Sequence, residues 1–186
     1  LAFPAHQPRH KVRGPGEHGQ RGRHHKAYAA IVSGSSDWQG TSMTDSQDHR
    51  IIAMWSGPRN VSTALMYSFA QRQDCAVWDE PYYSAWLAKT GQNHPMRNAV
   101  LGAGPVAATD VAARVLERPT DAASVHYQKH MAHHMLPEFD LDSWFSHATH
   151  AFLIREPASV LASYTQKFED VSLDLLGYPQ LATLFD

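Results

Sequence analysis

Two stretches place an arginine, a proline and hydroxyl side chains where an apolar run gives way to a helical pattern. The first is Ser56-Gly57-Pro58-Arg59-Asn60-Val61-Ser62-Thr63, directly after Arg50–Trp55 (RIIAMW). The second is Arg155-Glu156-Pro157 with Ser163 further on, directly after Ala148–Ile154. A strand, a Gly-containing turn and a helix start offer an anion free backbone N–H groups and the positive end of the helix dipole. Arg59 adds a planar, permanently charged donor fork, and Ser62 and Thr63 add hydroxyl donors in the first turn. Asn60 reads as the N-cap of that helix. Arg155 leaves a strand end, Pro157 suits a first helical turn, and Ser163 lies nearly two turns on, where it can meet an anion held by Arg155. Taken singly, each stretch also reads as an ordinary strand–helix turn with a solvated arginine. The first stretch is not a Walker A loop: Gly57 is followed by Pro-Arg-Asn-Val-Ser-Thr, with no second Gly and no Gly-Lys. NTP hydrolysis by the usual P-loop machinery is therefore disfavoured.

The elements that must carry these residues follow from apolar patterning. Arg50–Trp55, Cys75–Trp78, Ser124–Lys129 and Ala148–Ile154 read as short buried strands. Val61–Arg72, Tyr82–Lys89, Thr109–Glu117 (with Thr109 as a cap), Pro157–Phe168 and the apolar-rich Leu173–Phe185 read as helical. Gly91–Pro105 reads as loop, and His133–Trp144 as mixed. Alternating strands and helices predict an α/β three-layer sandwich with a central parallel sheet. Ligands of such sheets bind beyond the carboxyl ends of the strands. Polar clusters fall at all four of those ends: Ser56–Thr63, Asp79-Glu80, Lys129-His130 and Arg155.

Bulk properties narrow the partners. A net charge of −2 gives no electrostatic drive towards nucleic acid or an anionic membrane. No run approaches the ~18 apolar residues of a membrane-spanning helix. The single cysteine, Cys75, excludes an internal disulfide framework and fits a cytoplasmic location. Residues 1–48 differ from the rest. Up to Arg50 there are seven Lys/Arg against four Asp/Glu, against nine and fourteen afterwards, and Gly, Pro, His and Ser break any period. This stretch reads as disordered, or as a leader outside the working protein, with Met43 as a natural start. A basic arm for nucleic acid lacks supporting Arg or aromatic spacing. The folded domain is expected over 49–186.

The two anion stretches together resemble the nucleotide site of the sulfotransferase family. Pro58, Arg59, Ser62 and Thr63 match its 5′-phosphosulfate loop, with Val61 standing where that loop usually has Gly. Arg155, Pro157 and Ser163 match its 3′-phosphate motif. The resemblance implies a P-loop NTPase-like sulfotransferase fold, with 3′-phosphoadenosine-5′-phosphosulfate (PAPS) as donor. Arg59 and the Asn60–Thr63 segment (Asn60, Val61, Ser62, Thr63) would hold the 5′-phosphosulfate, and Arg155 and Ser163 the 3′-phosphate. It implies direct in-line transfer to a small-molecule hydroxyl or amine, without a metal. Glu80, in Asp-Glu-Pro-Tyr-Tyr, resembles the base of one branch, with Asp79 beside it. Lys129-His130 resembles the Lys-x-His pair of another branch, off by one residue. His130 is then a second base and Lys129 a contact to the acceptor or the transferring group. His130, His133 and His134 would also share one helix face and suit a metal weakly. The family's C-terminal Arg/Lys-Gly segment is not found, so a domain incomplete at that end is expected. The competing readings are a P-loop-type small-molecule or nucleotide kinase and a catalytically inactive nucleotide-binding module.

Overall fold

The computed structural model describes residues 27–32, 49–120 and 122–186. Four strands form the parallel part of the sheet: β2 (Arg50–Ser56), β3 (Cys75–Asp79), β4 (Val125–Met131) and β5 (Ala148–Arg155). A further strand, β1 (Ala27–Val32), runs antiparallel along β5, and the sheet order is β1-β5-β2-β4-β3. β2 thus sits in the middle, paired in parallel with β4 on one side and β5 on the other. β1 was not anticipated; the rest of the expected N-terminal tail lies outside the described residues.

The helices are α1 (Ser62–Phe69), α2 (Tyr83–Thr90), α3 (Arg97–Ala103), α4 (Ala108–Leu116), α5 (Pro157–Tyr164), α6 (Leu173–Leu176) and α7 (Tyr178–Phe185). None is long and apolar enough by itself to cross a membrane. α3 falls inside a stretch read as loop. It is short, buries no residue, and gives little apolar periodicity to detect. Leu173–Phe185 is two helices, because Gly177 takes φ +75° as the C-cap of α6 and Pro179 lies in the first turn of α7. Ala107 rather than Thr109 precedes the first turn of α4, without a side-chain cap.

The two sheet faces carry different cores. Met54, Tyr127, Ala151 and Leu153 pack with Met66, Leu65 and Phe69 of α1. Ile51, Ala53, Trp55 and Phe152 pack on the other face with Val111 and Val115 of α4, Ala85 of α2 and Leu181 of α7. β4 lies between them and is buried from His126 to Met131 although it is largely polar. Side chains alternate across a strand, so Tyr127, Lys129 and Met131 share the α1 face, and His126, Gln128 and His130 share the α4 face.

On the α4 face a buried polar ladder satisfies this strand. Gln128 Nε2 donates to the Val115 carbonyl at 2.8 Å and meets His126 Nδ1 at 3.1 Å. Gln128 Oε1 faces His130 Nε2 at 3.1 Å. His130 is 1% exposed, with its ring centroid 4.5 Å from that of Trp55 and 5.4 Å from that of Trp144. His150 accepts from Trp55 Nε1 at 2.9 Å through Nδ1 and, through Nε2, donates to the Phe145 carbonyl at 2.8 Å.

Burial, reinforced by neighbouring histidines, pushes His126 down to about 4 and His130 down to about 3; burial also lowers His150. The folded chain therefore favours neutral imidazole. Its contribution to stability is complete above the unfolded value near 6.5 and is lost as pH falls from there towards the folded values. Urea denaturation should give a constant midpoint above about pH 7 and a falling one below 6.5, each such histidine adding a slope of up to about 1.4 kcal/mol per pH unit. A midpoint unchanged between pH 7.5 and pH 5 would contradict this account of the core.

Candidate functional site

At the carboxyl ends of the parallel strands lies an open cleft of about 920 Å³. Its wall includes residues 58–63 after β2, Glu80 after β3, Lys129 and Met131 of β4, and Arg155 at the end of β5. Further wall comes from Tyr83 and Trp86 of α2, residues 92–95, His133, His134, and the Ser163–Phe168 region.

The loop after β2 is held tightly. Arg59 and Val61 both take left-handed backbone conformations, with φ 64° and 57°. Left-handed residues spaced along a loop are a backbone feature of anion-binding nests. For a β-branched residue this region is strongly disfavoured, which is why a Gly would suit position 61. Gly57 has a different reason: a Cβ there would lie 2.3 Å from the Leu176 carbonyl oxygen.

Asn60 is not the helix N-cap; that position is Val61, with no side-chain cap. Its buried amide instead braces the loop. Nδ2 donates to the carbonyls of Gly57 at 2.9 Å and Pro58 at 3.1 Å, and Oδ1 accepts from the Arg155 backbone N–H at 2.8 Å. The N–H groups of the first turn of α1, at Ser62 and Thr63, have no acceptor within the helix.

The two anion stretches meet through these contacts. Arg59 Nε donates to Ser163 Oγ at 2.9 Å, and an Arg155 guanidinium N–H donates to the Arg59 carbonyl at 3.1 Å. Arg59 is exposed and Arg155 and Ser163 are half-buried, so the guanidinium groups remain accessible from the cleft. Lys167, one turn beyond Ser163, adds a cation to the same wall.

Lys129 forms the floor. Its side chain is 3% exposed, and Nζ lies 2.6 Å from Asp79 Oδ1 and 2.8 Å from Glu80 Oε1. Nζ also donates to Thr63 Oγ1 at 3.2 Å, linking the carboxylates to α1. Burial alone would lower the pKa of this ammonium, but Glu80 and Asp79 outweigh it and hold it above its ordinary value. Glu80 takes φ 50°; its N–H donates to the Lys129 carbonyl at 2.8 Å, and its carbonyl accepts from Tyr83 N–H at 3.0 Å. The carboxylate is thereby fixed where β3 turns into α2.

His130 does not reach the cleft. Sealed on the α4 face with its pKa pushed down by burial, it cannot exchange a proton with a ligand there. The shared helix face for His130, His133 and His134 also fails: His130 is in β4, and His133 and His134 lie in a short 3-10 turn. Among the described residues no group of three His, Cys, Asp or Glu could hold a metal. Residues of the cleft that the sequence reading does not single out include Tyr83, His94, Lys167 and Asp170. Lys167 was detectable as the residue four beyond Ser163, on the same helical side.

A match to the sulfotransferase domain family covers residues 49–186. Two curated proteins of Arabidopsis thaliana are similar. Branched-chain-amino-acid aminotransferase-like protein 1 is 37% identical over 136 residues, and branched-chain-amino-acid aminotransferase-like protein 2 is 33% identical over 135. Each match covers 73% of this chain and 24% of the relative, so the chain spans about a quarter of the length of these proteins. No solved structure matches.

Asn60→Ala removes one acceptor and both donors of the brace and leaves polar backbone groups without partners. It should lower unfolding stability by about 2 kcal/mol, from a lost partner costing about 1–3 kcal/mol. Val61→Gly should act oppositely, relieving left-handed strain of about 1 kcal/mol or more. Chemical denaturation of both variants checks the pair; a neutral Asn60→Ala would refute the brace.

Proposed function

The chain belongs to the sulfotransferase domain family, and from that premise we propose that it moves a sulfuryl group from PAPS to a hydroxyl or amine of a small-molecule acceptor. The observation carrying this reading is the direct joining of the two anion stretches: Arg59 to Ser163, and Arg155 to the Arg59 carbonyl. A donor with one phosphate at C3′ and a phosphosulfate at C5′ needs two anion sites in one cleft, and a simple nucleoside triphosphate does not. The aminotransferase-like names belong to proteins of which this chain spans about a quarter.

In this reading the amides of Asn60, Val61, Ser62 and Thr63, with Arg59, hold the 5′-phosphosulfate at the start of α1. Arg155 and Ser163 hold the 3′-phosphate. Glu80 is the base. It takes the acceptor proton as the acceptor oxygen or nitrogen bonds to sulfur and the bond from sulfur to the 5′-phosphate oxygen breaks. The charge left on that phosphate is met by Arg59 and the helix amides. Lys129 holds the Glu80 carboxylate in place at 2.8 Å beforehand. Once Glu80 has taken the proton, its hold on Lys129 weakens, and the ammonium, still paired with Asp79, leans towards Thr63 and the departing charge.

Calorimetric titration with 3′,5′-diphosphoadenosine and with ATP tests the assignment. The diphosphate should bind at least tenfold more tightly, and Arg59→Ala and Arg155→Ala should each weaken it tenfold or more. Preference for ATP would end the sulfotransferase donor reading. Glu80→Gln should keep diphosphate affinity while lowering turnover by about 10²–10⁴, the range of general-base contributions.

A further inference from the structure

Resting on that sulfotransferase reading, we propose that the end of the cleft walled by Tyr83, His94, His133 and His134 is the acceptor subsite, and that it takes a neutral polyhydroxylated molecule, a sugar or polyol, sulfated on oxygen.

Three observations point the same way. The first is charge. The cations lining the cleft are Arg59, Arg155, Lys129 and Lys167. Arg59 and Arg155 belong to the cross-link with Ser163 and the loop, and Lys129 is enclosed by Asp79 and Glu80. Lys167 lies against Phe168 beyond α5. Among the described residues the histidine end therefore has no cation of its own to attract an anionic acceptor. The carboxylates lining the cleft are Glu80, which is paired with Lys129, and Asp170, which lies with Lys167 in the segment after α5, so among the described residues the histidine end offers a cationic acceptor no free countercharge of its own.

The second is the use of the aromatic faces. Tyr83 stacks on His134, with centroids 4.8 Å apart and planes 4° from parallel. Trp86 packs on His134 at 4.9 Å and meets His133 edge-on at 5.5 Å. His94 stands edge-on to Tyr83 and is hydrogen-bonded to its hydroxyl through Nδ1. These rings cover one another. The faces of Tyr83 and His134 that stack on each other are not offered to a flat aromatic acceptor.

The third is unmet hydrogen bonding. His133 Nδ1 and His134 Nδ1 are both shut off from water and have no hydrogen-bond partner among the described residues. Burial and the neighbouring histidines lower both groups, His133 to about 4, so both rings are neutral at pH 7. A neutral imidazole offers one donor and one acceptor, and a hydroxyl is also both. A ligand with several hydroxyls satisfies such a wall once a small turn of the rings uncovers these nitrogens, directly or through a water it carries in. A phenol, with one hydroxyl that must itself react, leaves it without partners.

The step balances with Glu80 alone. One ligand O–H gives its proton to Glu80, its oxygen bonds to sulfur, and the sulfur–oxygen bond to the donor phosphate breaks. The products are a sulfate monoester and 3′,5′-diphosphoadenosine.

The test uses the full 186-residue chain and sulfur-35-labelled PAPS. The acceptor probes are neutral sugars and polyols (glucose, galactose, mannose, myo-inositol, sorbitol), 4-nitrophenol and tyramine. At least one sugar or polyol should be labelled, with kcat/KM at least tenfold above both aromatic probes. His133→Ala and His134→Ala should raise KM for that acceptor tenfold or more while diphosphate affinity stays within twofold. His133→Asn and His134→Asn, which keep a donor and an acceptor, should recover part of the loss. Labelling of 4-nitrophenol or tyramine with every sugar and polyol inert would overturn the acceptor class. So would diphosphate binding with no sugar or polyol either labelled or bound, as judged by saturation-transfer NMR on the diphosphate-loaded chain. Unchanged KM in the alanine variants would overturn the subsite. Failure to bind the diphosphate at all would instead remove the donor reading beneath the proposal.

Discussion

The side chain of Asn60 is the constraint on which the rest of the site depends. It is 3% exposed, and it joins a loop to a strand end 95 residues away in sequence. Two carbonyls of a tight turn would otherwise be left without donors, and the N–H at the end of β5 without an acceptor. Satisfying all three with one amide fixes the loop after β2 against the end of β5, its parallel neighbour. Arg155 then has its backbone anchored, and its guanidinium falls on the Arg59 carbonyl. Arg59, held in a left-handed conformation, reaches Ser163. The two arginines could not be placed so closely by their own flexible side chains, since both carry positive charge and repel.

A second constraint comes from the alternation of β4. A buried central strand of a parallel sheet is ordinarily apolar. β4 instead carries a lysine on one face and a glutamine flanked by histidines on the other. Each is supported by a separate network: Asp79, Glu80 and Thr63 for Lys129, and Val115 and the aromatic rings for the Gln128 ladder. A buried charge without partners would be severely destabilising. Glu80 is therefore structural as well as a candidate base. Its carboxylate stabilises the ammonium that in turn contacts α1. Truncating the side chain would strip an acceptor from the floor of the cleft, whereas Glu80→Gln loses the charge but retains an oxygen to accept from Lys129.

Much of this was legible in the sequence, and the exceptions have identifiable causes. Apolar runs of four to seven residues located β2, β3 and β5, the strand-helix alternation located the largely polar β4, and the Gly-Pro turn before a helical period located the loop after β2. Neighbours in sequence are not neighbours in space, however, and Lys129-His130 shows the cost of treating them as one. Period-two alternation places Lys129 in the cleft and His130 on the opposite face, a deduction available once Ser124–Lys129 is read as a strand. Asn60 was assigned to the nearest helix because capping is a local rule. Its actual acceptors and donors include a residue from the far end of the chain, which no local rule supplies. α3 was hidden by surrounding Gly, Pro and Asn and by its lack of any buried face. The break at Gly177 was signalled by Gly followed two residues later by Pro, the usual grammar of one helix ending and another starting.

That break has a consequence for how the cleft is assembled. Gly177, in its left-handed conformation, brings the corner between α6 and α7 against two other segments at once. A Cβ on Gly177 would lie 3.2 Å from the His133 backbone nitrogen and 3.7 Å from the Cα of Gly57. A Cβ on Gly57 would strike the Leu176 carbonyl oxygen at 2.3 Å. The loop after β2, the corner between α6 and α7 and the histidine turn therefore meet almost backbone to backbone, with only the Ala132 methyl and the braced Asn60 amide close by. Packed interiors transmit small shifts rather than damping them. The two ends of the cleft, one carrying Arg59 and Arg155 and the other lined by neutral rings, accordingly share one seam. The spacing between the start of α1 and the turn that carries His133 and His134 rests on two glycines that no larger residue can replace without moving one segment relative to the other.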